Sequence, residues 1–304
     1  MNELRAIALM VLGVSAFSVM DGIGKVLSSD HDVLQIVWAR YAFAVPPLML
    51  IAAPRRWPAM LGRRVGLQLA RGLLPVLGGV FIVLALRTVP LADATAITFV
   101  APLLVTALSI PLLGETVGWH RWVAVVVGFA GVVVIARPGA GAFQWAALLP
   151  LATALAFALY QILTKVLSAG TDPRGTLVFT MLTGLVLGTA ALPFVWQTPT
   201  PAAWGLMALS GLANAFGHYA LIRSYEGVPA STLAPFIYAQ IIGAALFGFA
   251  VLGDVPDAFT LLGTAIIVAS GLYVVHRERQ RARTGAAPQP SPASMRSISR
   301  RKAS

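Results

Sequence analysis

Apolar residues run through this chain in stretches of about twenty, set apart by short polar breaks, from one end to the other. As a helix, a stretch of that length crosses the ~30 Å hydrocarbon core of a bilayer. The pattern predicts ten such helices, over 4–27, 33–53, 67–87, 92–113, 120–136, 144–168, 175–196, 203–222, 230–252 and 258–276. The breaks carry helix-ending residues: Pro54 and Pro58, Pro138 with Gly139, Pro199 and Pro201, and Pro256. The two-residue alternation of a transmembrane β-barrel is not the pattern seen, which excludes that class. Arg5 ahead of an apolar run resembles a secretory signal, but the run is too long for one and holds Asp21 and Lys25 deep inside. The first helix is therefore expected to be retained.

Composition narrows the class further. Of 304 residues, 58% are hydrophobic and 11% charged, where a soluble domain carries roughly 25% charged residues. That excludes a soluble Rossmann or barrel enzyme, and the short loops leave one integral membrane unit. The net charge of +11 would suggest nucleic acid in a soluble chain, but here it sits in loops and the C-terminal segment, so no nucleic-acid partner is expected. Instead it orients the bundle. With a cytoplasmic N-terminus, Arg5, Arg55, Arg56, Arg63, Arg64, Arg71, Arg121, Lys165, Arg174, Arg223 and the tail place 18 of the 22 Lys and Arg inside. Lys25, Arg40, Arg87 and Arg137 are the 4 toward the outside, beside Asp30, Asp32, Asp254 and Asp257. Both termini are expected in the cytoplasm. Residues 277–304, rich in Arg, Ser, Pro and Ala, read as a disordered basic tail against anionic headgroups. With no cysteine, thiol chemistry is excluded.

Self-comparison finds an internal repeat. Ala16-Phe17 and Lys25-Val26-Leu27 recur as Ala156-Phe157 and Lys165-Val166-Leu167, offset by 140. Pro90 matches Pro229, Gly114-Glu115 matches Gly253-Asp254, and Gly131 matches Gly271 at nearly the same offset. The units are 1–139 and 140–276, five helices each. An odd number of crossings makes the second unit enter upside down, the inverted-repeat arrangement that lets two halves exchange conformations around a central site. The expectation is a secondary carrier in a bacterial inner membrane, monomeric or homodimeric, working on a small-molecule substrate.

Several short motifs then point to a family. Trp38-Ala39-Arg40-Tyr41, Leu91-Ala92-Asp93-Ala94-Thr95-Ala96, Pro102-Leu103-Leu104, Leu113-Gly114-Glu115, Gly128-Phe129-Ala130-Gly131 and Ala234-Pro235 resemble the drug/metabolite transporter superfamily, EamA branch, over residues 5–276. The resemblance implies a ten-helix carrier with a cavity lined by helices 1, 3, 4, 6, 8 and 9. It implies a substrate class only broadly: amino acids, nucleosides, riboflavin, S-adenosylmethionine or xenobiotics.

Ionisable groups inside a membrane are costly and need a reason. Asp21 has Lys25 one turn later on the same face, which suits a proton-coupling or amine-binding site, or else an intrahelical ion pair that neutralises itself. Its repeat partner is Gln161. Arg40 is placed to pin helix 2 to an outer carboxylate or to meet an anionic substrate, and Trp38, Tyr41 and Trp57 suit an interface belt. Asn214 and His218 share a face of helix 8, with Arg223 and Glu226 at its inner mouth as an inner gate or a plain loop pair. Pro102 and Pro235 break helices 4 and 9, freeing carbonyls beside Thr98, Phe99, Tyr238 and Gln240. With Tyr160 and Gln161 these suit a flat, partly polar ligand such as riboflavin or an aromatic amino acid, although aromatic residues also serve simply as packing.

Gly184 and Gly188 fit a helix-packing face. No GxGxxG, Walker A or HExxH motif occurs, so neither cofactor nor metal is expected, and Asp254 with Asp257 lacks further ligands. Two rivals remain open. A membrane-embedded lipid-linked transferase would need its acids and bases at one depth, whereas Asp21, Glu115, His120 and His218 are scattered. A lipid flippase or channel would show headgroup-dependent turnover or a continuous polar pore.

Overall fold

A computed structural model describes residues 3–52, 65–113, 119–137, 143–167, 173–224 and 233–283. Among the described residues every regular element is a helix. The first half holds α1 (Glu3–Leu27), α2 (Val33–Ala42), α3 (Val45–Ala52), α4 (Val65–Leu86), α5 (Leu91–Thr98), α6 (Ala101–Leu113) and α7 (Trp119–Ala136). The second holds α8 (Phe143–Ala146), α9 (Leu148–Leu167), α10 (Pro173–Val195), α11 (Pro201–Ser224), a 3₁₀ turn (Ala234–Tyr238), α12 (Ala239–Phe247), a π turn (Gly248–Leu252) and α13 (Ala258–Arg283). Eight segments are long and apolar enough to cross a membrane, and the apolar stretch Trp122–Ala136 is shorter. Helix α11 is long enough but carries Asn214, His218 and Arg223, which lower its hydropathy.

Local chemistry sets the boundaries. Asp32 caps α2, its carboxylate accepting from the Leu34 amide at 2.8 Å. Helices α2 and α5 each stop four residues before a proline. A proline ring collides with the carbonyl of residue i−4, so Pro46 ends α2 at Ala42 and Pro102 ends α5 at Thr98. The expected single helix over 33–53 is thus two segments, and the break in helix 4 falls just ahead of Pro102. The π turn closes on Gly253 at φ 71, a left-handed conformation that favours glycine. Helix α13 runs to Arg283, past the boundary drawn at 276. No proline or glycine intervenes before Gly285, and Gln280 pairs one turn back with His276 at 2.9 Å and with Arg277 at 3.2 Å. Residues 277–283 are therefore helical.

Packing follows a scheme that maps onto itself when the halves are exchanged. Helix α1 packs on α11 as α9 packs on α4, α1 on α12 as α9 on α6, and α2 on α11 as α10 on α4. The pairs α2–α10 and α7–α13 each map onto themselves. In lipid there is little hydrophobic drive between helices, so close contact requires small residues. A Cβ on Gly131 would lie 2.8 Å from the Gly263 carbonyl, and one on Gly263 2.6 Å from the Gly131 carbonyl, so α7 and α13 meet backbone to backbone. Gly184 and Gly188 of α10 likewise admit the Tyr41 and Trp38 rings of α2. Tyr41 is accordingly buried in the bundle, while Trp38, Trp196 and Trp204 cluster with ring centroids 6.0–6.4 Å apart. Trp57 lies outside the described residues.

Candidate functional site

The break between α5 and α6 and the 3₁₀ turn leading into α12 stand at equivalent places in the two halves: Thr98 ends one segment and Tyr238 ends the other, 140 residues apart. Phe99 and Tyr238 meet across them, ring centroids 5.1 Å apart and tilted by 35°. Phe99 is buried, and Tyr238 is fixed by Gly271, where any Cβ would fall on the tyrosine hydroxyl. The Thr98 hydroxyl donates to the Thr95 carbonyl at 2.6 Å, so it serves its own helix. Pro102 is exposed beside the break. At Gln240 the backbone carbonyl accepts from the Ser18 hydroxyl at 2.8 Å, tying α12 to α1.

Asp21 does not pair with Lys25. Its carboxylate lies 3.0 Å from the Arg40 guanidinium, with both side chains nearly inaccessible. Lys25 instead reaches the far half, to Asp254 at 2.7 Å and the Val89 carbonyl at 3.3 Å. The intrahelical pair is replaced because α2 brings a guanidinium to Asp21 while the turn after the π segment brings a carboxylate to Lys25. Arg40 also donates to the Met20 carbonyl at 3.4 Å, and its own carbonyl accepts from the Asn214 amide at 3.1 Å. Gly24 leaves room for that guanidinium, since a Cβ there would strike its terminal nitrogen.

Asn214 and His218 share a face but not a partner. His218 stands edge-on to Phe17 of α1 at 5.0 Å, whereas Asn214 addresses α2. Tyr160 is half-buried under Arg71, whose guanidinium lies 5.9 Å from the ring centroid, while Gln161 beside it is exposed. Arg223 is half-buried near Arg5 and Tyr219 at the opposite end of the bundle from Lys25. Glu226 lies outside the described residues.

Two features escaped the sequence reading. Arg71, counted there among inner-loop charges, is fully buried less than two turns into α4, and one of its nitrogens donates to the Thr180 hydroxyl at 3.1 Å. The signal was present: the apolar run already begins six residues earlier at Val65, and an arginine within such a run calls for a buried role. The other is a polar cluster closing one end. Asp93 accepts from the Thr260 hydroxyl at 2.6 Å, and Arg137, in a left-handed conformation at φ 47, pairs with Asp257 and lies over the Phe259 ring at 4.5 Å. The Thr260 amide donating to Asp257, together with the adjacent Arg137, holds the Asp257 carboxyl below its ordinary range. Around Asp93, Asp254 and Asp257 a cleft of about 70 Å³ remains. Lys25–Asp254, Arg137–Asp257 and Asp93–Thr260 each join the first half to the second, so this end is latched.

The comparisons agree with a bundle of this kind. A family described as EamA-like transporter family matches residues 4–137 and again 144–275. A riboflavin transporter of Vibrio cholerae serotype O1 is 30% identical over 293 residues, covering 93% of this chain and 96% of that protein. One from Rhizobium johnstonii is 32% identical over 217 residues, 71% and 72% of the two chains. An S-adenosylmethionine uptake transporter of Rickettsia prowazekii is 24% identical over 277 residues, 91% and 94%. A solved crystal structure superposes with a TM-score of 0.58 at 16% identity, over 90% of this chain and 98% of that one, a likeness of fold.

Proposed function

The chain belongs to the EamA-like transporter family and is a multi-pass membrane transporter of small metabolites, and we propose that it carries a flat nitrogen-heteroaromatic metabolite across a bacterial inner membrane by alternating access. The observation that carries this reading is the Phe99–Tyr238 pair, one ring from each half, at matched helix breaks. Breaks at corresponding positions of two halves are the usual location of a transporter's binding site, because an unwound backbone offers polar groups at membrane depth. In the described conformation the two rings touch, and as the halves part they would separate into facing walls for a planar ring. The relatives named for riboflavin and S-adenosylmethionine have cargoes that share a fused nitrogen heterocycle bearing a hydroxylated five-carbon sugar-type group, and this chemistry suits aromatic walls, with Thr98, Tyr160 and Gln240 proposed as the polar groups that meet it.

Residues 1–139 and 140–276 act as inverted repeats, a reading supported by the helix pairings that survive exchange of the halves. Ten crossings rest on the apolar runs, and cytoplasmic termini on the excess of basic residues toward that side, which persists with Arg71 left out of the count. The Lys25–Asp254 end then faces outward, and the described conformation is closed on that side. Asp21, held against Arg40 within the bundle, is the proton-coupling group: protonation releases the guanidinium and loosens α1 from α2.

Riboflavin fluorescence, which is quenched when the ring stacks, provides the test on purified protein. Saturable quenching is expected. Phe99→Ala or Tyr238→Ala is expected to weaken it by about 5-fold to about 150-fold, since a stacked aromatic contact contributes about 1–3 kcal/mol. If neither riboflavin nor S-adenosylmethionine binds, or if both variants bind as the parent does, the slot is not the site.

A further inference from the structure

At the end of the bundle opposite the latch, α1 and α11 run antiparallel and leave a groove of about 420 Å³, lined by Arg5, Ala8, Leu9, Leu12, Tyr219 and Arg223. Arg5 is two residues into α1 and Arg223 one residue from the end of α11, so antiparallel packing puts both cations at one level. Leu9 and Leu12 lie about 6 Å and about 10 Å deeper along the axis. The neighbouring surface is turned to lipid. Leu4, Ala8 and Leu12 form an exposed stripe on α1 opposite buried Met10 and Val14, and Leu212 and Phe216 continue an exposed stripe on α11 toward Tyr219 and Arg223.

We infer that this groove binds an anionic phospholipid, its phosphate between Arg5 and Arg223 and an acyl chain along Leu9 and Leu12. Depth and charge both select for such a lipid. A membrane protein has lipid against such a surface at all times, so the groove's contribution is selection among headgroups. Two guanidinium groups at headgroup level favour a phosphate with net negative charge and disfavour a zwitterionic head, whose ammonium they repel. Basic pockets between transmembrane helices bind anionic headgroups in this way. The apolar floor adds what a soluble phosphate ester lacks, since each acyl CH₂ it covers leaves water. The inference does not depend on which metabolite is carried.

The full-length protein is reconstituted in nanodiscs of phosphatidylglycerol or of phosphatidylcholine, released into detergent, and its retained lipid counted by native mass spectrometry. The parent is expected to keep one phosphatidylglycerol far better than phosphatidylcholine. Each arginine contributes about fivefold to that preference. Arg5→Gln with Arg223→Gln removes the preference, and the corresponding lysine pair keeps most of it. Arg5→Gln alone, at an exposed side chain, loses about fivefold and covers the case in which the double variant fails to fold. The basic tail is the control: replacing Arg296, Arg300 and Arg301 with Gln leaves the retained lipid in place. The inference is overturned by unchanged retention in the double glutamine variant, by equal retention of phosphatidylcholine, by loss in the tail variant alone, or by displacement with soluble glycerol phosphate.

Discussion

Removing Asp21 alone leaves the Arg40 guanidinium buried without its carboxylate. The two groups are 3.0 Å apart, with side-chain exposures of 5% for Arg40 and 12% for Asp21. At an effective dielectric of ~20 the gross attraction at that separation is about 5.5 kcal/mol. Desolvation of both charges offsets most of it, so the pair's net contribution is small. Breaking it is a different matter, because one charge then stays buried and unneutralised, at a cost of about 3–5 kcal/mol. Asp21→Asn is therefore expected to lower Tm by roughly 6–20 °C, at roughly 2–4 °C per kcal/mol. Asp21→Asn combined with Arg40→Gln is expected to recover most of that loss, since two neutral amides can hydrogen-bond in the same place. The assay is a double-mutant cycle on protein in detergent, read by thermal unfolding, with transport under an imposed pH gradient measured on the same variants. Strictly additive effects of the two substitutions refute the pairing argument. PH-gradient dependence that survives Asp21→Asn refutes the coupling role and leaves the pair a structural pin.

Other consequences are independent of that pair. The chain has no cysteine, so Ala92→Cys in the latch cleft gives a single reporter, and adding Asp254→Asn is expected to speed its labelling by an impermeant maleimide up to about fivefold, as loss of a partly exposed ion pair worth ~0–1 kcal/mol allows. Slower or unchanged labelling would mean that Lys25–Asp254 does not hold this end shut. The Asp257 carboxyl titrates below its usual range when folded, so the stability it contributes is present above the unfolded pKa of about 3.9 and is lost as pH falls through the folded value. The Tm difference between parent and Asp257→Asn should accordingly be constant near neutrality and vanish in acid; a difference that grows on acidification contradicts the sign. Gly271→Ala puts a methyl where the Tyr238 hydroxyl stands, an overpacking worth about 1–3 kcal/mol, and Tyr238→Phe in the same chain is expected to relieve it and restore ligand binding. Equal defects in the single and double variants would place the damage elsewhere.

Residue type and spacing made some of this legible and left the rest hidden. The helical class and most of the helix positions follow from hydropathy, because a run of about twenty apolar residues has few alternatives in lipid. Proline positions foretold the break at Pro102, although the carbonyl clash acts four residues upstream and moves the break to Phe99. Partners were harder. Periodicity along α1 put Lys25 beside Asp21, but a helix sees its neighbours as well as itself, and packing redirected both side chains, one to Arg40 and the other to Asp254. The same limit hid the Asp93–Thr260 bond, which joins residues 167 positions apart. Arg71 was misplaced for another reason: charge counting treats an arginine near a helix end as part of a loop, and only the packing of α9 and α10 over α4 reveals that it is enclosed.

Counterflow in proteoliposomes shows whether the protein exchanges such heterocycles across a bilayer. Vesicles loaded with unlabelled riboflavin, or with S-adenosylmethionine, are diluted into the labelled compound, and uptake is followed with competitors outside. Transient accumulation of label is expected, saturating with concentration, competed by fused nitrogen heterocycles and not by aliphatic amino acids, and lost in Phe99→Ala. Linear, unsaturable entry would describe a channel. Saturable exchange of aliphatic amino acids with none of either heterocycle would keep the carrier and contradict the substrate class drawn from the Phe99–Tyr238 slot.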